Sequence, residues 1–486
     1  MNLCAKQKDA IGLTFVLGKI QADSPFGDKL VKSQRFYRKD EKAELIREFD
    51  NITKIISMLE SDKDIFADIR RVLMRFKDIT NTLRKLENGY LHEIELFELK
   101  GFMLSLTRLK TAYFETGLCL DNVEFVDMEE PLDILDPDKK RISPFFLSEQ
   151  YTKELWDVRN EKSRLEELMR SKTDKDELEK LKVLRASIVA KEEEAETEVK
   201  KLLSEELRAF LPTFTKNVKA VGRLDFTIQK AILAKDYSAS RPDIEVDGME
   251  FVEMINPEVG AILERENREF TPISIKLEPG TTLLTGANMG GKSVALKTAM
   301  LNVCLCHMGF FAFAKMAAMP IFDGVYLISE DMQSISDGLS SFGAEIVRLN
   351  GIAKDVESKH LFIALDEFAR GTNPQEGALI ARAVAKYLNT KTSMSLMTTH
   401  YDNIACDEFA QYQVAGLADL DFDKLSARIA AGASSGVELI AAQMDYRLIR
   451  ISGESKAPRE AINICRLLGI EGDVMDAIME EYRQDG

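Results

Sequence analysis

Apolar residues recur at three- and four-residue spacing through Asp40–Leu59, Asp64–Leu86 and Glu93–Leu109, so the chain is expected to be helical to about residue 130. The acidic stretch Asp127–Asp138, carrying Pro131 and Pro137, reads as a connection. From about Ser148 to Leu211 the chain is dominated by Glu, Lys, Leu and Arg, with no Gly or Pro. That pattern predicts long helices, an antiparallel pair with its tip at the polar stretch Ser171–Asp176 and its end at Pro212. Acidic and basic residues nearly balance there, with a slight acidic excess. This reads as a solvated face laced with intrahelical pairs rather than a surface that grips nucleic acid. Helical periodicity returns over Val218–Lys235, and Arg241-Pro242 marks a boundary.

Beyond it, short apolar runs alternate with helical segments, the pattern of an α/β domain with a largely parallel sheet. Strands are expected near Phe251–Ile255, Ile273–Leu277, Thr281–Thr285, Val325–Ser329, Leu361–Leu365, Ser393–Thr398 and Tyr446–Ser452.

Between one of these strands and a helical stretch beginning at Val294 lies Gly286–Ser293, reading G-A-N-M-G-G-K-S. Strand, glycine-rich loop and helix in this order form a phosphate cradle. Gly286 and Gly291 let successive N–H groups turn inward, and the helix adds its positive end. Ala287, Asn288, Met289 and Gly290 complete the loop. Lys292 is placed to reach the β- and γ-phosphates and Ser293 to hold Mg²⁺. Downstream, Leu361–Glu367 (L-F-I-A-L-D-E) is a buried strand ending in two carboxylates. Asp366 falls on the magnesium side, and Glu367 is a general base for the attacking water. His400 ends the apolar run Ser393–His400, at the strand edge where such sheets bind ligands, and suits a sensor of γ-phosphate or water.

Bulk composition narrows the rest. At 486 residues the chain is long enough for several domains. A formal charge of −16 argues against a basic nucleic-acid surface along the whole chain and gives no support to a membrane-surface role. No apolar run reaches the length of a membrane span, and the first residues do not read as a signal peptide. The scattered cysteines suit buried free thiols in a reducing cytoplasm.

The loop, the D-E strand and the T-T-H-Y segment (Thr398–Tyr401), with L-S-S-F and D-E-F-A-R-G-T-N-P-Q-E-G (Asp366–Gly377), resemble the MutS family of ABC-type ATPases. The resemblance implies an α plus α/β fold: a helical core and lever region, then a P-loop ATPase domain with a mostly parallel sheet. The expected domains are a helical core (1–135), lever helices and arm (136–245), the ATPase domain (246–430) and a C-terminal strand with dimerisation helices (431–486). It implies ATP and Mg²⁺ as ligands and a dimer, homo- or heteromeric, with composite sites. Ser340 would be the signature serine reaching the other subunit's γ-phosphate. Asn288 would contact phosphate, Phe270 would stack on adenine, and Arg370 would belong to a segment crossing the interface. The family's mismatch-reading domain and its nuclease-like C-terminal domain are both expected to be missing. Phe251-Val252-Glu253 matches the mismatch-reading string but lies on an expected strand. The resemblance leaves two targets: DNA, bound without mismatch recognition, or a protein such as an adenosylcobalamin-dependent aminomutase that the ATPase reactivates.

Overall fold

The computed structural model describes residues 3–62, 64–286, 291–329, 341–401, 404, 408–416, 445–451, 465, 470 and 472–484. The helical first half comprises α1 (Ala5–Ala10), α2 (Leu13–Gly18), α3 (Pro25–Lys32), α4 (Lys42–Ser61), α5 (Ala67–Leu73), α6 (Thr80–Asn88), α7 (Glu93–Glu115), α8 (Glu129–Leu135), α9 (Lys153–Ser171), α10 (Lys175–Arg208) and α11 (Leu211–Asp236). The second half runs β1 (Met249–Met254), α12 (Pro257–Arg265), β2 (Ile273–Leu277), β3 (Gly280–Thr285), α13 (Lys292–His307), β4 (Met316–Ala318), β5 (Gly324–Ile328) and α14 (Ser341–Asp355). It continues through β6 (Leu361–Leu365), α15 (Pro374–Asn389), β7 (Met394–Thr398), β8 (Ala410–Gly416), β9 (Asp445–Ile451) and α16 (Gly472–Gln484). A helical region followed by a mostly parallel sheet is thus the architecture of the chain.

Two compact units divide the residues. One holds Gln21–Ser33 and Asn51–Ala231; the other holds Met1–Ile20, Gln34–Asp50 and Ile232–Gly486. In the helical unit, Phe26, Phe76, Phe102 and Phe214 form an aromatic cluster with ring centroids 5.4–6.1 Å apart. Asp225 is fully buried there and satisfied by the N–H and hydroxyl of Ser24 at 2.7 and 2.6 Å. Burial pushes its carboxyl above the usual range. Lys100 and Asp136 form a buried ion pair at 3.2 Å. Helices α9 and α10 pack together, joined through Lys172–Asp174. The buried positions of α10 (Ile188, Glu192, Ala195, Val199, Leu203, Leu207) recur every three or four residues, as an apolar seam requires.

In the sheet unit, six strands lie in the order β5-β6-β7-β3-β8-β9. All neighbours are parallel except β8 and β9. Strand β6 is buried at every position, as a parallel strand covered on both faces should be. Helices α14 and α15 cover one face through Ile352, Ala381, Ala385 and Leu388, with Val356 just after α14. Residues near the N-terminus belong to this unit: the Gln7 side chain donates to the Leu327 carbonyl at 2.7 Å.

Several expectations are corrected. The strands expected at Phe251–Ile255 and Ile273–Leu277 pair with each other and with β4 in a separate antiparallel sheet, order β2-β1-β4. The helical spacing over Asp64–Leu86 is met by two helices, α5 and the first turns of α6, with the Asp78 carboxylate accepting the Thr80 N–H between them. The supposed connection Asp127–Asp138 contains α8, and Pro131 fits its first turn. Pro212 lies in the first turn of α11, and the preceding helix has already ended at Arg208. Strand β8 was missed because Gln411 and Gln413 break its apolar pattern, although Gln411 is buried. Cys304 and Cys306 are buried free thiols, but the free Cys4 and Cys119 are exposed. Among the described residues no helix is long and apolar enough to cross a membrane.

Candidate functional site

The parallel register fixes which chain segments meet at the carboxyl edge of the sheet. Leu284 lies opposite Thr398 and Leu365 opposite Met397, so β3, β6 and β7 end side by side. Strand β3 delivers Gly286, β6 delivers Asp366 and Glu367, and β7 delivers Thr399 and His400. The order β6-β7-β3 is a consequence of tertiary pairing, and it is what gathers these residues.

Gly286 and Gly291 have φ of 128° and 81°. A side chain at Gly286 would meet Val414 at 3.3 Å, and one at Gly291 would meet the Tyr446 ring at 2.9 Å. Both conformation and space therefore require glycine at the two ends of the loop. Ala287, Asn288, Met289 and Gly290 lie outside the described residues, as does Ser340.

Helix α13 begins at Lys292, directly after Gly291. The Lys292 ammonium is buried and donates to the Gly286 carbonyl at 2.7 Å, closing the loop on itself. The Ser293 hydroxyl donates to Asp366 Oδ1 at 2.8 Å, joining the start of α13 to the end of β6. Asp366 is 7% exposed. Its oxygen also accepts the Thr398 hydroxyl at 2.8 Å, and the same hydroxyl accepts the Glu367 N–H at 2.8 Å.

Glu367 has φ of 48°, in the left-handed region that a non-glycine residue rarely occupies. Its carboxylate pairs with Arg370 at 2.6 Å. Two residues on, Ala369 is also left-handed, and its N–H donates to the buried Glu345 carboxylate at 2.9 Å. His400 is exposed at the end of β7, its ring 4.1 Å from that of Tyr401. Tyr401 in turn donates to the Ala369 carbonyl at 3.0 Å, tying the two strand-end turns together.

Beside the loop is a cavity of about 220 Å³ lined by Leu263, Phe270, Ile273, Gly291, Val294 and Tyr446. Phe270 thus lies beside the start of α13, although it is distant from it in sequence. The Arg268 guanidinium, also on the cavity lining, donates to the Tyr446 hydroxyl at 3.3 Å.

One serine hydroxyl and one carboxylate are the oxygen donors that a small hard cation shares with phosphates and water. Among the described residues no group of three or more His, Cys, Asp or Glu is gathered to hold a metal alone. The donor set therefore fits Mg²⁺ carried with a nucleotide better than a resident metal.

Of the candidates read from the sequence, Gly286, Gly291, Lys292, Ser293, Asp366, Glu367 and His400 come to one sheet edge, with Phe270 on the adjoining cavity. Thr398, Glu345, Tyr401 and Tyr446 were not anticipated. The T-T-H wording held a signal for Thr398, since a strand buried at every position has little use for a hydroxyl without partners. Tyr446 carried none.

Residues 282–439 match the MutS domain V family. The chain is 30% identical over 303 residues to endonuclease MutS2 of Acetivibrio thermocellus, covering 60% of this chain and 34% of that protein. It is 36% identical over 197 residues to endonuclease MutS2 of Caldicellulosiruptor bescii, covering 40% of this chain and 24% of that protein. Similarity to the DNA mismatch repair protein MutS of Natronomonas pharaonis is 30% over 329 residues, covering 65% and 35% respectively. The chain therefore spans about a third or less of the length of these relatives.

Proposed function

We propose that this chain, whose residues 282–439 carry the ATPase domain of the MutS family, binds ATP along the cavity and loop and hydrolyses it to drive movement of its helical arm. Phe270 and Tyr446 offer two aromatic faces to adenine. The Lys292 ammonium exchanges the Gly286 carbonyl for phosphate oxygens, which carry full charge and outcompete a neutral acceptor. Ser293 and Asp366 would hold Mg²⁺, which when bound neutralises charge on the phosphates. Glu367 accepts the proton of the attacking water once its carboxylate is released from Arg370. His400 faces the same edge as a contact for the γ-phosphate or the water. In a dimer, Ser340 would complete the γ-phosphate site of the other copy.

The observation that carries this reading is the Ser293–Asp366 bond at 2.8 Å, which brings loop and carboxylate strand to one point. Steady-state ATP hydrolysis and nucleotide binding test it together. Lys292→Ala is expected to lose binding. Glu367→Gln is expected to bind ATP but hydrolyse it at least about a hundredfold more slowly, as removal of a general base does. Sedimentation should show the Glu367→Gln protein held as an ATP-bound dimer, and Ser340→Ala should slow turnover in the dimer. Hydrolysis by Glu367→Gln at the wild-type rate, or none by the wild type, would refute the reading.

For the target, the name of one relative, DNA mismatch repair protein MutS, favours DNA, and the reading taken is DNA bound without mismatch recognition. Mobility shift of duplex, branched and single-stranded DNA, steepening as salt falls, is the expected result. A protein target is favoured by one observation: cations of the arm are engaged by its own carboxylates. Arg159 pairs with Glu192 and Glu196 at 3.2 and 2.9 Å, and Arg185 with Glu166 at 2.8 Å. Leu168, Val183 and Leu184 stand exposed towards the α9–α10 tip. No DNA shift at low salt, together with nucleotide-dependent capture of an adenosylcobalamin-dependent aminomutase, would decide for the protein target.

A further inference from the structure

We propose that Thr398 is a positioning residue of the hydrolytic centre, its one hydroxyl setting the Asp366 carboxylate and pinning the backbone of Glu367. The inference rests on the ATPase reading above and adds a residue to it. Thr398 ends β7, a strand buried at all five positions, and is itself 0% exposed. A hydroxyl in such a place is costly unless its hydrogen-bonding capacity is used, and a valine would fill the same volume without that cost.

Here donor and acceptor are both engaged. The hydroxyl gives its proton to Asp366 Oδ1 at 2.8 Å and accepts the Glu367 N–H at 2.8 Å. Asp366 Oδ1 receives a second proton from Ser293, also at 2.8 Å. The carboxylate is thus held between two hydroxyls, one from α13 and one from β7, so it cannot rotate without breaking a charge-assisted bond.

The second bond acts on Glu367. At φ of 48° its backbone is in a conformation that needs external support, and Thr398 holds the amide that fixes it. That conformation sets the direction in which the Glu367 side chain leaves the strand end. One hydroxyl therefore aligns the metal-side carboxylate and the base, and links both to the strand that His400 follows by two residues.

The test compares Thr398→Val, which keeps shape and loses the hydroxyl, with Thr398→Ser, which keeps the hydroxyl and loses a methyl. Amide hydrogen exchange of Glu367 is read in protein free of nucleotide and Mg²⁺. Steady-state hydrolysis is then read against ATP and Mg²⁺ separately. In Thr398→Val we expect Glu367 exchange about tenfold or more faster, kcat about tenfold or more lower and half-saturating Mg²⁺ raised several-fold, from loss of a bond to a charged acceptor. The KM for ATP should change by less than about twofold, because the cavity and Lys292 are untouched. Thr398→Ser should stay near wild type in every reading.

Unchanged exchange or unchanged kcat in Thr398→Val overturns the assignment. Equal losses in Thr398→Ser overturn it too, since packing would then be the cause. Thr398→Ala serves the same comparison if the valine variant does not fold. A wild type that hydrolyses ATP beside an indifferent Thr398→Val removes Thr398 alone. A wild type without hydrolysis removes the ATPase reading and this role together.

Discussion

His307 should make the sheet unit acid-labile in a window set by one buried ring. It is the last residue of α13, the helix that begins with Lys292, and it is 1% exposed. Nε2 faces the Phe322 N–H at 3.2 Å and must accept from it, which leaves Nδ1 to carry the proton towards the Tyr37 carbonyl at 3.4 Å. Phe36 stacks on the ring at 5.5 Å. Protonation would charge a ring without water and turn its acceptor nitrogen against another donor. A helix C-terminus favours a cation by up to about 2 kcal/mol, yet burial dominates and depresses the imidazole to about 4.

The unfolded chain therefore takes up this proton near pH 6.5 and the folded chain only near pH 4. Stability from the neutral ring is fully present above the unfolded value and is lost as pH falls through the window. At about 1.4 kcal/mol per pH unit, the loss is about 2 kcal/mol between pH 7 and 5, and about 3 kcal/mol by pH 4. Urea unfolding at pH 7 and 5 measures it, with His307→Gln as the reference. The glutamine variant should be less stable at pH 7 but lack this pH dependence, so the difference between the two proteins isolates the ring. With only four histidines in the chain, an NMR titration can also follow the imidazole directly. The His307 imidazole titrating near 6.5 in folded protein, or the same fall from pH 7 to 5 in His307→Gln, would refute the reasoning.

Phe270→Ala should weaken ATP about 5- to 150-fold by direct binding, since base stacking on an aromatic ring contributes about 1–3 kcal/mol, while leaving Mg²⁺ dependence alone. Gly27→Ala should destabilise the helical unit by about 2 kcal/mol or more in denaturant titration, because its Cβ would lie 2.2 Å from Asp225 Oδ2 and must break the Ser24 network. Lys100→Met should cost up to about 3 kcal/mol in denaturant titration, because the buried Asp136 loses the ammonium at 3.2 Å and keeps only the Arg141 guanidinium at 3.6 Å.

What could be read from the residues alone was what neighbours in sequence enforce. Gly286–Ser293 is a local device: its glycines, lysine and serine act within eight positions, so strand, loop and helix could be placed from the sequence. The same holds for the long helices, because a seam at three- and four-residue spacing needs no knowledge of its partner. Where the reading failed, the deciding contact came from elsewhere. Strand β8 looked polar until its place between β3 and β9 buried Gln411. Strands β1 and β2 looked like members of the parallel sheet, since alternation in one strand says nothing of which strand it pairs with.

The sequence by itself therefore determined the glycine-rich stretch between β3 and α13, the carboxylate pair at the end of β6 and the helical character of the first half. Only the tertiary structure decided that β6, β7 and β3 stand in that order, so that Asp366, Thr398 and Ser293 share one oxygen. It also decided that Tyr446 faces Gly291 from β9. The reason is physical: hydrogen-bonding groups and periodicity are properties of a segment, whereas strand order is set by which apolar faces can be buried together, a property of the whole chain.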